Sequence, residues 1–268
     1  MTGQGGDAPA RAHAATSVED SPPPLPFWPY PPWIAHRGAG KLAPENTLAA
    51  FRVGASHGYR MFECDVKLSA DGMPFLLHDS ALERTTSGQG VAGEQPWQSL
   101  SVLDAGDWHS PQFADETLPT LEGIARFCLD TGSFLNIEIK PTPGAESQTG
   151  TIVANEAARL WKDAAVPPLL TSFQALSLEA AQAAQPQLPR GLLLDELVEG
   201  WLDTARRLQC VAIVCDHLLW TTETVSSAQK AGFRLLSYTV NDEASAQRLM
   251  ALGTDGIITD RVDLFVPR

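Results

Sequence analysis

Four short segments carry the residues that could do chemistry: His36-Arg37-Gly38, Glu63-Cys64-Asp65, His78-Asp79 and Asn136-Ile137-Glu138-Ile139-Lys140. Imidazoles change protonation near neutral pH, so His36 and His78 offer one acid and one base. Glu63, Asp65 and Glu138 suit a hard divalent cation that prefers oxygen ligands. Each segment lies at or near the end of a strand-like run, so one fold could gather them at one mouth. Together they read as equipment for hydrolysing a phosphodiester.

Strand alternation puts Met61, Glu63, Asp65 and Lys67 on one face and Phe62, Cys64 and Val66 on the other. By the same rule Asn136, Glu138 and Lys140 share a face, with Ile137 and Ile139 turned away to pack against helices. Carboxylates converging in an interior are costly unless neutralised. A buried salt network with Arg37 and Lys140 would neutralise them, and so would a metal. The salt network needs neither imidazole, and the placement of both histidines at strand ends favours the metal. Arg37 and Lys140 then serve as local contacts for a phosphate. Pro44-Glu45-Asn46-Thr47 opens a helix that Asn46 or Thr47 can cap, while Glu45 can hold Arg37 in position.

Such groups need a regular scaffold. Strand-like segments fall at 33–36, 60–66, 134–140, 169–173, 191–194, 211–215, 235–240 and 256–259, and helix-like ones at about 47–57, 119–131, 150–164, 175–185, 200–208, 222–231 and 242–252. The βα order predicts a parallel sheet, and an eight-stranded α/β barrel is usual at this chain length. A further strand, 75–78, follows 60–66 too soon for a parallel crossover. It should run antiparallel, as a hairpin turned at Asp71-Gly72. With the turn centred between Ala70 and Asp71, Glu63 lies opposite His78 and Asp65 opposite Leu76.

Residues 79–117 exceed an ordinary βα loop and form an insertion over the barrel mouth. Its Trp97, Trp108, His109 and Phe113 either wall a substrate pocket or make a small core of their own. Residues 1–26, rich in Ala, Gly, Ser and Pro, read as a disordered tail, and the domain runs over 27–268. Trp28, Tyr30 and Trp33, set among prolines, close the bottom of a core.

Composition narrows the function further. A formal net charge of −13 argues against binding a nucleic acid or an anionic membrane through a general field, so phosphate recognition must be local. No run approaches the roughly 18 apolar residues that a membrane span requires. The opening residues lack a basic and then apolar secretory pattern, and Cys64, Cys128, Cys210 and Cys215 show no paired spacing. A cytoplasmic enzyme with reduced core thiols is the expectation. Beyond the phosphate region no charged cluster singles out one alcohol, and nothing in the sequence sets an oligomeric state.

The runs WPYPPWIAHRG, KLAPENTLAAF, FECDVKLS, FLLHD, LERT, DAGDW, LNIEIKPT, GLLLDE, YTVN and DGIITD together resemble glycerophosphodiester phosphodiesterases, closest to the cytosolic UgpQ type. The likeness spans from about Trp28 to the end. It implies a TIM (β/α)8 barrel of the PLC-like phosphodiesterase type, with Glu63, Asp65 and Glu138 as ligands of one divalent cation, Mg2+ or Ca2+. It also implies catalytic roles for His36 and His78 and phosphate contacts from Arg37 and Lys140. The implied substrate is a small glycerophosphodiester such as glycerophosphocholine, cleaved to glycerol 3-phosphate and an alcohol. Two departures stand out: Ala39 in a glycine-rich loop after His36, and Tyr238 where Trp is common. Neither removes a catalytic group, though Tyr238 alters the pocket wall.

Overall fold

Short apolar runs bounded by Gly, Pro and Asp form the strands, and longer runs with apolar residues every three to four positions form the helices between them. The computed structural model describes residues 1–3 and 25–267. Its elements begin β1 (Trp33–Ala35), α1 (Leu48–Ser56), β2 (Met61–Leu68), β3 (Pro74–Leu76), a short α2 (Trp97–Leu100), α3 (Leu121–Thr131) and β4 (Phe134–Ile139). They continue α4 (Glu146–Leu160), β5 (Leu169–Ser172), α5 (Ala175–Ala184), β6 (Arg190–Leu194), α6 (Trp201–Arg207) and β7 (Ala212–Asp216). The last are α7 (Thr222–Lys230), β8 (Arg234–Tyr238), α8 (Glu243–Leu252) and β9 (Gly256–Thr259). Most of the expected tail lies outside the described residues. Within it, the Pro26 carbonyl accepts two hydrogen bonds from Arg234, at 2.9 and 2.8 Å.

β1, β2 and β4 to β9 pair in parallel around a closed ring, with β1 between β9 and β2. This is the TIM barrel expected from the βα alternation. Ile34, Met61, Leu169, Leu193, Val214, Leu236 and Ile258 point inward and form one buried cluster. Phe62, Cys64, Val66, Ile137 and Ile139 point outward into the layer shared with the helices. Fully burying each large apolar side chain contributes roughly 1.5–3 kcal/mol, so a shift of one residue in β2 would exchange its carboxylates for Phe62 and Cys64 at large cost. Tyr30 closes the lower end, donating from its hydroxyl to the Pro167 carbonyl at 2.9 Å, with its ring 4.8 Å from that of Trp28. Trp33 does not join them; it stacks on Phe265 at 4.7 Å.

Two sequence expectations shift in the structure. The helix expected at 150–164 is α4, Glu146–Leu160. Gly150 marks a close approach instead of a helix start: a Cβ there would stand 2.2 Å from the Ser177 carbonyl oxygen of α5. The hairpin is antiparallel as expected, but its register differs by one, with Val66 opposite Leu76 and Lys67 opposite Phe75. A three-residue turn explains the slip: Gly72 donates to the Ser69 carbonyl at 2.9 Å, Ser69 donates to the Met73 carbonyl at 3.0 Å, and Gly72 takes the left-handed φ of 83°. The regular strand ends at Leu76, so His78 reaches the site from the bend that follows it and not as a ladder partner of Glu63.

The stretch 79–117 realises both alternatives foreseen for it. Leu82, Ala92, Leu100 and Ala105 form a small core with Phe75 and Leu77, against which Trp97 packs. Trp108 and His109 instead line a cavity beside His36 and Arg37. The four cysteines are free and buried, and among the described residues no helix is long and apolar enough to cross a membrane.

Candidate active site

At the C-terminal mouth of the barrel, β2 and β4 lie in a register that sets Asp65 level with Glu138 and Glu63 level with Asn136. Alternation turns Glu63, Asp65 and Glu138 inward together, and one oxygen from each lies within 4.8 Å of the others. All three are buried, and Oε1 of Glu63 has no hydrogen-bond partner. An orphaned, buried carboxylate oxygen aimed at two more carboxylates fits a cation that supplies the missing partner.

The electrostatics agree. Burial pushes Asp65 up, but Arg37 and Lys140 outweigh it and hold the carboxyl at about 2. Burial pushes Glu63 well above the usual carboxylate range, and Asp65 adds to the effect. Burial and then Asp65 raise Glu138 to about 7 against the pull of Lys140. Asp65 is thus the carboxylate most favoured as the anion, while burial and its charge raise the proton affinity of Glu63 and Glu138.

The cations stand around that charge. Arg37, in a left-handed conformation (φ 51°), donates its backbone N–H to Glu63 Oε2 at 3.0 Å. Its Nε lies 3.1 Å from Asp65 Oδ2, and its NH1 donates to Glu45 Oε1 at 2.8 Å. Glu45 thus stands in contact with Arg37, where the positioning role expected of it would place it. Lys140 donates to Glu138 Oε1 at 2.8 Å and lies over the Phe173 ring, 5.5 Å from its centre.

Each histidine has a carboxylate behind it. His36 follows β1 and turns Nδ1 to Asp260 Oδ1 at 2.7 Å, leaving Nε2 on the site side, 3.8 Å from Glu63. Asp260 follows β9 and is fixed in turn by Asn241, whose amide nitrogen donates to Oδ2 at 2.9 Å and whose amide oxygen accepts its N–H at 2.9 Å. Gly40 permits this approach, since a Cβ there would lie 2.2 Å from the Asp260 Cα. His78 turns Nδ1 to Asp79 Oδ1 at 2.7 Å, and burial lowers the imidazole's proton affinity. A carboxylate on Nδ1 fixes the tautomer and aims the other nitrogen.

Sequence reasoning assigned no role to Asp260, Asn241 or Asp79. A signal existed for Asp260: it is an acid just past the last strand, and in a closed ring the last strand neighbours the first. Of the two candidate caps, Asn46 and Thr47, it is Thr47 that caps α1, accepting the Ala50 N–H at 3.2 Å. The side chain of Asn46 holds Asp65 instead.

His36, His78, Arg37, Glu63, Glu138 and Lys140 enclose a cavity of about 200 Å³, with Phe173 and Tyr238 on its wall. Tyr238 donates its hydroxyl to the Leu194 carbonyl at 2.9 Å. A wider trough of about 680 Å³ continues past Lys140 and Phe173, and it carries three carboxylates that the sequence had not grouped: Glu146, Asp195 and Glu196.

Fold and site together place the chain among barrel hydrolases that act on an anionic ester with help from a divalent cation. Residues 36–264 match the model of the glycerophosphoryl diester phosphodiesterase family. The chain belongs to that family. It is 33% identical to a glycerophosphodiester phosphodiesterase of Caldanaerobacter subterraneus subsp. tengcongensis, over 85% of this chain and 93% of the relative. It is 29% identical to one of Bacillus subtilis, over 87% of this chain and 84% of the other. Among solved structures, a phosphodiesterase of Oleispira antarctica in complex with the product sn-glycerol-3-phosphate superposes with a TM-score of 0.81. That protein is 34% identical, over 86% of this chain and 93% of its own. A glycerophosphodiester phosphodiesterase of Agrobacterium tumefaciens gives 0.73 at 26% identity, over 88% and 98%.

Proposed function

We propose that the protein hydrolyses small glycerophosphodiesters, the deacylated remains of phospholipids, to glycerol 3-phosphate and an alcohol, using one divalent cation, Mg2+ or Ca2+. The observation that carries this reading is the buried cluster of Glu63, Asp65 and Glu138, one of whose oxygens has no hydrogen-bond partner, beside two carboxylate-held imidazoles. Family membership supports the substrate class.

Glu63, Asp65 and Glu138 would hold the cation, which when bound neutralises phosphate charge and activates an oxygen nucleophile. Arg37 and Lys140 bind phosphate oxygens; their long arms reach from the triad into the cavity, where each can exchange a carboxylate contact for the substrate. His36, with Nδ1–H directed to Asp260, takes the proton of the attacking oxygen at Nε2. His78 gives a proton to the departing alcohol oxygen, and Asp79 steadies the ring as its charge changes. Glu45 keeps Arg37 from swinging away. The trough past Phe173 gives the alcohol room.

Residues 27–268, with the insertion 79–117, act as one catalytic unit in this reading. The four buried thiols and the likeness to the cytosolic type support a cytoplasmic place of action. The deciding experiment measures glycerol 3-phosphate released from glycerophosphoethanolamine, with and without a chelator. Release that stops on chelation and returns with Mg2+ or Ca2+ is expected; no release under any metal would overturn the proposal.

A further inference from the structure

Arg84 lies on the turn 83–85 of the insertion, between two carboxylates that each hold another group of the site. Its Nε and NH2 donate to Asp79 at 2.6 and 3.0 Å, and its NH1 and NH2 donate to Glu45 at 2.8 and 2.8 Å. Asp79 is the partner of His78, and Glu45 is the partner of Arg37, at 2.7 and 2.8 Å. An unbroken line of contacts thus runs from one imidazole through Asp79, Arg84 and Glu45 to the guanidinium beside Asp65.

The turn that presents Arg84 is itself fixed. Leu82 donates its N–H to the Gly90 carbonyl at 3.0 Å, Thr86 donates its N–H to the Leu82 carbonyl at 3.1 Å, and the Leu82 side chain is buried in the insertion's core. A guanidinium's donors lie in one plane and can grip two carboxylates at once; an ammonium cannot reproduce that fork.

We propose that Arg84 is a positioning residue that locks His78 to Arg37, so the proton donor and the phosphate contact keep one relative geometry. The role rests on the proposed hydrolysis and on the parts given there to His78 and Arg37. Arg84 holds Asp79 and Glu45 side by side, where the two carboxylates, without its charge between them, would repel and turn apart. It also takes a share of Asp79's charge, leaving the imidazole a directed but weakened partner. The insertion thereby becomes part of the catalytic machinery and not merely a wall around the substrate.

The test compares wild type, Arg84→Ala, Arg84→Lys and the remote surface control Arg159→Ala in hydrolysis of glycerophosphoethanolamine, with and without millimolar guanidinium, alongside an NMR titration of the His78 ring. Arg84→Ala should lose roughly 10–100-fold in kcat with KM within about threefold, the scale of a misplaced catalytic group. Added guanidinium should restore part of that loss. Arg84→Lys should stay impaired, and Arg159→Ala should be normal and indifferent to guanidinium. The charged and titratable groups around His78, namely Asp65, Arg37, Asp79 and Lys140, with His36, Glu63 and Glu138 across the same cavity, are all retained in Arg84→Ala. Freeing Asp79 should therefore move the ring's titration midpoint upward. A kcat within twofold of wild type, or a loss that guanidinium does not restore with the His78 midpoint unmoved, would overturn the proposal. If wild type cleaves no glycerophosphodiester the functional reading falls, and the titration alone then decides the linkage: an unmoved midpoint refutes it.

Discussion

Asn46 and Asp65 bind each other twice: the Asn46 amide donates to Asp65 Oδ2 at 2.9 Å, and the Asp65 backbone N–H donates to Asn46 Oδ1 at 3.1 Å. The pair fixes the plane of the carboxylate that keeps its charge, and Asn46 reaches it through a left-handed φ of 59°. Asn46→Ala should weaken divalent-cation binding by roughly 10–100-fold, the usual effect of losing a ligand's supporting bond. Calorimetric titration would check this, and an affinity within about threefold of wild type would deny the pair that role.

The three carboxylates offer a more direct trial. Glu63→Gln, Asp65→Asn and Glu138→Gln each replace an anionic oxygen ligand by a neutral one, so all three should bind Mg2+ and Ca2+ more weakly. Unchanged titrations across the set would mean the cation sits elsewhere.

Removing either imidazole should lower turnover by roughly 10²–10⁴-fold, as expected for a lost acid or base. His36→Ala and His78→Ala both lie at the cavity, with their backbones outside the regular strands, so both variants should stay folded, with His36→Ala melting lower because Asp260 loses its partner. Near-normal rates in a folded variant would exclude that histidine from proton transfer.

Asp260 supplies a pH signature. Burial pushes its carboxyl up, but His36 and then Asn241 outweigh burial and hold it below the ordinary value. A folded pKa below the unfolded value of about 3.9 contributes stability that is present above that pH and lost as pH falls through the folded value. Wild type should therefore exceed Asp260→Asn in urea midpoint at neutral pH, and the gap should close in acid below about pH 4. A gap that persists at pH 3 would assign the difference to packing instead of charge.

The trough with Glu146, Asp195 and Glu196 bears on the alcohol. Carboxylates this open to solvent attract a cationic head group only weakly, so choline and ethanolamine diesters should outpace the glycerol diester by less than about tenfold. The preference should shrink as salt rises. A preference that salt leaves intact would point to shape in place of charge.

Much of this was legible before the fold. Inward alternation in Glu63-Cys64-Asp65 and in Asn136 to Lys140 predicted which acids converge, because outward Phe62, Cys64 and Ile137 could not be exchanged with them cheaply. The hairpin's direction followed from the length of its link. Its register did not, because the left-handed Gly72 lets Ser69 pair with Met73 around a three-residue turn, and no rule of alternation reports that choice. Asn46 and Thr47 were equal candidates for the cap, since either residue type serves before a helix, and only the tertiary placement of Asp65 gave Asn46 a different partner. Asp260 stayed hidden from His36 because 224 positions separate them.

That separation divides the site between one near pairing and one distant pairing. β2 and β4 are direct neighbours and lie in the first half of the barrel, so the acidic cluster can form as soon as those strands meet. His36 acquires its carboxylate only when β9 slots in beside β1 and completes the ring. The acidic cluster therefore depends on the β2–β4 pairing, and the directed imidazole depends on closure of the ring. In a refolding experiment, the first molecule of product would thus report the seating of β9 against β1.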